Sequence, residues 1–232
     1  MSLPTLIFDL DGTLVDSAGD LAGALNVLLA EDGRPELSVD ETRSLIGGGA
    51  QVLILRAWKR TGEPLDPARL ETLYRRFLEI YQDRLTALTR VYPEVVETLE
   101  RLRDAGFTMG VCTNKPITPT LTILDSLDLK RFFGAVLGGD SLPWKKPDPR
   151  HVTAVVDALD GRGKPAILVG DSAIDVAAGH AADLPVIAVT WGYARSPLVA
   201  SDAEAAIDLF SALPEAIEDL QGRLWLRLHD EP

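Results

Sequence analysis

"LIFDLDGTLVDS", residues 6–17, decides how the rest of the chain is read. An apolar run ends on Asp9, a second carboxylate follows at Asp11, and the chain turns at Gly12. Part of this has a purely structural account, because Asp-Gly is a turn dipeptide and an aspartate can cap a following helix. Two carboxylates at a strand's exit also supply what acid, base or metal chemistry needs. In extended backbone, residues i and i+2 point to the same side, so Asp9 and Asp11 are expected to share one face. The stretch alone does not choose between turn and site.

Composition narrows the field. The 232 residues are 46% hydrophobic, enough for one large domain or for an ordinary core carrying an insertion. With 35 acidic and 23 basic residues the net charge is −12, so the mean surface repels phosphate polymers and anionic lipid. Neither nucleic acid nor membrane is an expected partner, and an anionic small molecule would need local cations. Cys112 is the only cysteine, which excludes an internal disulfide and points to a reducing, cytoplasmic setting. The N-terminus carries no signal-peptide pattern, and no apolar run reaches membrane-spanning length.

Outward from the opening stretch, short apolar runs recur at 6–8, 108–112, 135–137, 166–169 and 186–189, mostly without polar alternation. They read as strands buried on both faces. Helical patterns fall between the later runs: "PEVVETLERLRDAG" (93–106), "TPTLTILDSLDL" (118–129) and "DPRHVTAVVDALDG" (148–161). Alternating strands and helices predict an α/β fold, a parallel sheet covered by helices. Residues 17–88 differ. Leu21, Leu25, Leu28 and Leu29, then Leu70, Leu73, Tyr74, Phe77, Ile80, Tyr81 and Leu85, repeat at helical spacing with no strand between, and "IGGGA" (46–50) breaks the run. The chain therefore divides into a core of 1–16 with 89–232 and an all-helical insertion of 17–88. The tail "RLWLRLHDEP" (223–232) fits a strand or a helix end.

Polar residues gather where the predicted strands stop: Asp9 and Asp11, "TNKP" (113–116), "KKPDP" (145–149) and "GDSAID" (170–175). Singly, each has a plain account as cap, turn or solvated loop. Capping and turn chemistry give no reason for lysines and carboxylates to recur together after successive strands. In open parallel sheets, ligands bind outside the strands' carboxyl ends where strand order reverses, so all four clusters are expected to face one crevice.

In this order, "DLDGTLVDS", "TNK", "KKPDP" and "GDSAID" resemble the four signature motifs of the haloacid dehalogenase superfamily of phosphohydrolases. Within it, "DSAGDLAGALN", "GGGA", "TNKP" and "GGDSLPWKKPDP" are most similar to bacterial phosphoglycolate phosphatases. The resemblance implies a Rossmann-like core with helices on both faces and a helical cap domain inserted after the first motif. It further implies a magnesium-dependent phosphomonoesterase for a small anionic phosphate ester such as 2-phosphoglycolate. A sugar-phosphate phosphatase or phosphomutase of the same superfamily, or a binding protein that keeps the fold without catalysis, are the alternatives.

Carried over by motif, Asp9 is the expected nucleophile and Asp11 the acid and base for the leaving group and the attacking water. Asp9, Asp171 and the Asp11 backbone carbonyl are the implied Mg2+ ligands, with Asp175 ranked behind them. Lys146 is expected to neutralise the nucleophile, ahead of Lys145. Thr113, Asn114 and Gly12 are expected to bind the phosphoryl oxygens. Gly48, Gly49, Arg56 and Lys115 are candidates to meet a substrate carboxylate. His151, His180 and His229 lack metal-ligand spacing and read as surface or helix positions, and Cys112 reads as core. The chain departs from the family's wording at Asp183, where glycine is common, and in "TWGYARSP" (190–197).

Overall fold

A computed structural model of the chain describes residues 3–193 and 202–229, apart from the side chains of 223–229. Strand β1 (Thr5–Phe8) is followed by β2 (Val15–Asp16) and then by helices α1 (Ala18–Glu31), α2 (Val39–Arg43), α3 (Ala50–Thr61) and α4 (Leu70–Gln82). The chain returns through β3 (Arg90–Val91), α5 (Val95–Asp104), β4 (Met109–Cys112), α6 (Ile117–Ser126) and β5 (Ala135–Leu137). It ends with α7 (Pro149–Ala158), β6 (Ala166–Gly170), α8 (Ala173–Ala181), β7 (Val186–Val189), β8 (Ala205–Ile207) and α9 (Leu213–His229).

The main sheet has six strands in the order β5-β4-β1-β6-β7-β8, all pairs parallel. Alternate residues of each strand feed opposite layers. Ile7, Cys112, Leu168 and Val186 pack against Val152 and Val155 of α7 and Val176 and Ala178 of α8. Leu6, Phe8, Val111 and Val169 face Leu99 of α5, Ile123 of α6 and Ile217 of α9. Burial on both faces is why these strands carry no polar alternation.

The five predicted strands are all present, and three short ones escape the periodicity. β8 extends the sheet beyond β7, so β7 is not the final strand. β2 and β3 are two-residue strands pairing Val15 with Val91 and Asp16 with Arg90, antiparallel. They join the two points where the chain leaves and re-enters the sheet, and a two-residue strand is too short to show a period. The tail left open between strand and helix is helical to His229. Asp183 sits at φ +56°, in the left-handed region that an aspartate tolerates and a glycine adopts freely, which explains the family's glycine there. Of "TWGYARSP", residues 194–197 lie outside the described residues. No helix among the described residues is long and apolar enough to cross a membrane.

The ribbon is braced by Asp20, wholly enclosed on α1. Its carboxylate accepts from the amides of Leu88 (3.0 Å) and Thr89 (2.7 Å) and from the Thr89 hydroxyl (2.7 Å). This ties the first helix of the insertion to the segment that leaves it. Asp20→Ala strands these buried donors and is expected to cost about 3 kcal/mol, lowering the Tm by roughly 6–12 °C in thermal denaturation.

Candidate active site

The loops after β1, β4, β5 and β6 converge on one crevice beside β1, where strand order reverses. Asp9 continues the ladder of β1, its amide donating to the Val169 carbonyl at 2.9 Å, and so is held at the sheet's edge. The turn follows at once, with Gly12 at φ +89° and its amide donating to the Val15 carbonyl at 2.9 Å. Gly12 is required twice over, since a Cβ there would fall 2.5 Å from Asp171 Oδ2.

Asp9 and Asp11 line the same cleft, as their spacing predicts, and each is paired with a different lysine. Lys146 Nζ stands 3.0 Å from Asp9 Oδ1 and 2.6 Å from Asp175 Oδ1. Lys115 Nζ stands 3.1 Å from both Asp11 oxygens and donates to the Tyr81 hydroxyl at 2.8 Å. The Ser17 hydroxyl donates to Asp11 Oδ1 at 2.5 Å. Lys145, the other lysine of "KKPDP", instead reaches the Gly48 carbonyl at 3.1 Å.

Asp9, Asp171 and Asp175 each bring a carboxylate oxygen within 4.8 Å of the other two, and all three are buried. Asp175 has both oxygens engaged, Oδ1 by Lys146 and Oδ2 by the Ser172 amide and hydroxyl. Asp171 accepts from the Tyr193 amide at 2.6 Å. Asp9 Oδ1 is the exception: it is buried, and its ion pair with Lys146 lies outside hydrogen-bond geometry. Burial raises the Asp9 carboxyl to about 6, opposed by Lys146 and reinforced by Asp175. Burial also works against the charge on Lys146, but Asp175 and Asp9 outweigh it and hold the ammonium firmly protonated. Within the trio, three carboxylates thus face one ammonium. An all-oxygen donor set short of positive charge fits a hard divalent cation.

Thr113 and Asn114 are buried at the end of β4. The Thr113 hydroxyl accepts from the Lys115 amide at 3.2 Å. The Asn114 side chain donates to the carbonyls of Lys146 (2.9 Å) and Gly47 (3.1 Å), so it ties two motif loops and the helical insertion together. Gly49, at φ +88°, lets the insertion come close, because a Cβ there would meet the Asn114 carbonyl oxygen at 2.8 Å. Gly47 and Gly49 line the cleft. Gly48 contributes its carbonyl to Lys145, and Arg56 turns back to the Leu45 (2.9 Å) and Ile46 (3.3 Å) carbonyls, bracing that loop.

The cleft comprises about 500 Å³ including its mouth, walled by Leu21, Leu53, Phe77 and Tyr81 of the insertion. Sequence reasoning placed Tyr81 only on an apolar helical stripe, and it gave Ser17 and Tyr193 no role. The Tyr193 hydroxyl accepts from the Ser17 amide at 2.7 Å and donates to Asp16 Oδ1 at 3.1 Å, bonds spanning more than 170 residues that no local pattern signals. His151 lies on α7 but is fully buried, and burial, aided by Lys146, lowers its pKa to about 4. His180 is exposed beside Glu204, and the His229 side chain lies outside the described ones. Cys112 is core, its thiol pushed up to about 12 by burial.

With this geometry in view, residues 6–189 match the family model of the haloacid dehalogenase-like hydrolases. The chain belongs to that family. Within it, the chain is a phosphatase-like enzyme. It is 41% identical over 212 residues to a phosphoglycolate phosphatase of Caulobacter vibrioides, covering 91% of this chain and 90% of that one. It is 40% identical over 214 residues to one of Agrobacterium fabrum, covering 92% of each. A solved structure of a predicted phosphoglycolate phosphatase from Haemophilus somnus superposes with a TM-score of 0.85 at 33% identity, covering 92% of this chain and 97% of that one.

Proposed function

We propose that this chain is a magnesium-dependent phosphomonoesterase that works through an aspartyl phosphate on Asp9, with 2-phosphoglycolate as its substrate. The observation that carries the reading is the buried trio Asp9, Asp171 and Asp175 with Lys146 as its one ammonium and Asp9 Oδ1 left without a hydrogen bond. The substrate rests on the relatives' names and on a small, largely apolar cleft that admits a compact molecule.

Asp9 attacks phosphorus, the bond to the ester oxygen breaks, and Asp11 gives its proton to the departing alkoxide. Asp11 then takes a proton from the water that attacks the phosphoryl-Asp9 bond, so phosphate leaves and both carboxyls return to their starting state. Lys146 offsets the charge of the nucleophile and of the transferring group. Its bond to Asp175 holds the ammonium in place. The Thr113 hydroxyl and the Asn114 amide bind the phosphoryl oxygens, while Gly12, its own amide held by the Val15 carbonyl, contributes the tight turn that lets the loop approach them. Asp9 and Asp171 would hold the magnesium ion, with the Asp11 carbonyl and Asp175 as further donors. When bound, the ion neutralises charge between carboxylate and phosphate. Residues 17–88 form a cap that closes over 1–16 with 89–232, and Gly48, Gly49 and Arg56 shape its edge over the substrate.

Turnover of 2-phosphoglycolate is expected to vanish in EDTA and return with magnesium, and a panel with sugar phosphates and pyrophosphate should rank it first by kcat/KM. Full activity in EDTA, or a sugar phosphate ranked first, would overturn the corresponding half of the reading. Because Asp9 titrates near 6 in the metal-free protein, protons compete with the ion below that pH. Calorimetric titration should find magnesium binding about tenfold weaker at pH 5 than at pH 7.

A further inference from the structure

Lys115 is the one cation among the described residues lining the cleft. It is buried, on the loop after β4, and bridges the two halves of the molecule: Asp11 on one side at 3.1 Å, the Tyr81 hydroxyl of α4 on the other at 2.8 Å. The other basic side chains near the cleft are occupied elsewhere. Lys145 is turned to the Gly48 carbonyl, Arg56 to the Leu45 and Ile46 carbonyls, and Arg43 to Asp16 and Asp40. Lys146 serves Asp9 and Asp175.

We infer that Lys115, with the Tyr81 hydroxyl, is the clamp that recognises a carboxylate on the carbon next to the ester oxygen of the substrate. This deepens the reading above and rests on it. Asp11 must face the ester oxygen to protonate it, and in 2-phosphoglycolate a single methylene separates that oxygen from the carboxyl carbon. A group at hydrogen-bond distance from Asp11 therefore borders the place the carboxylate must occupy. Lys115 meets that condition: its three donors go to the two Asp11 oxygens and the Tyr81 hydroxyl, so exchanging one of the two Asp11 contacts for a substrate oxygen still leaves Asp11 held by the other. The Tyr81 hydroxyl accepts from Lys115 and keeps its own O–H, for which no acceptor stands among the described residues. It can donate to the second carboxylate oxygen. The apolar part of the wall, Leu21, Leu53, Phe77 and Leu78, offers a longer polar chain no side-chain hydrogen bonds and so favours a short acid.

The test compares 2-phosphoglycolate with 2-hydroxyethyl phosphate, in which an uncharged hydroxymethyl group replaces the carboxylate, in the full-length magnesium-loaded enzyme. Lys115→Met should lower the kcat/KM ratio of the first ester to the second by about 100-fold, and Tyr81→Phe by about tenfold. Tyr81→Phe removes one oxygen from a folded helix and keeps the test valid if Lys115→Met fails to fold. Should both esters lose rate equally in either variant, the clamp is refuted and the residue acts only by positioning Asp11. A wild-type ratio near one would refute the carboxylated substrate and the clamp together. A high wild-type ratio that survives both substitutions would refute the clamp alone.

Discussion

Asp9→Asn is expected to abolish turnover, by a factor on the order of 10⁴ or more, while making the metal-free protein more stable at neutral pH. The loss follows from the proposed chemistry, because an amide cannot form the phosphoryl bond. The gain follows from burial. Asp9 is enclosed among carboxylates and is raised from 3.8 to about 6, so the folded protein holds its proton more tightly than the unfolded chain does. Below the unfolded value both states are protonated and Asp9 costs nothing. As pH rises through about 6 the folded state must carry a buried charge, and the cost is then fully present. Asparagine removes it. In EDTA, Asp9→Asn should therefore raise stability by roughly 1–3 kcal/mol at pH 7.5 and make almost no difference at pH 4. Magnesium should then stabilise the wild type far more than the variant. Retained turnover, or a Tm that falls at pH 7.5, would remove Asp9 from its assigned place.

Lys146→Met is the second large effect and has the opposite sign for stability. Its ammonium is the shared partner of Asp9 and Asp175, both buried, at 3.0 and 2.6 Å. Taking it away leaves two enclosed carboxylates facing each other and Asp171, a loss of about 3–5 kcal/mol, together with the loss of measurable turnover. Lys145→Met is the matched control. That side chain is half-buried and bonds a carbonyl rather than a carboxylate, so its removal strands no charge and should cost about 1 kcal/mol. Chemical denaturation of the two variants side by side measures the difference. Greater damage from Lys145→Met would reverse the assignment of the two neighbours. Because protonation relieves Asp9 as pH falls, the penalty of Lys146→Met should shrink toward pH 5.

These two variants bear on a distinction that runs through the molecule. Asp9 was marked in the sequence because it ends an apolar run and precedes a turn, and both are local features. Asp11 followed from the two-residue period of extended chain, and Asp171 from its place after another buried run. The choice between Lys145 and Lys146 has no such local cause. The two are adjacent in sequence and identical in chemistry, and they separate only in the folded loop after β5, where Lys146 lies beside Asp9 and Asp175 and Lys145 reaches the Gly48 carbonyl.

The same division holds for the fold. Uninterrupted apolar runs determined five strands of a doubly covered parallel sheet, since burial on both faces forbids polar alternation. Helical spacing of leucines and aromatics marked α1 and α4, two of the helices that lie between β2 and β3. Both signals are periodic and short-range, so a single chain displays them. The two-residue ribbon of β2 and β3 and the edge strand β8 are too brief or too exposed to impose a period, and pairing across the fold defines them.

What the sequence determined by itself is therefore the set of carboxylates and the sheet that presents them. The tertiary structure alone decided that Lys115 meets Asp11, with Tyr81 and Tyr193 drawn in from distant segments. The reason is physical. Strand and helix periods arise from backbone geometry between near neighbours, whereas a long lysine side chain takes its partner from whatever charge the packed loops leave buried within its reach.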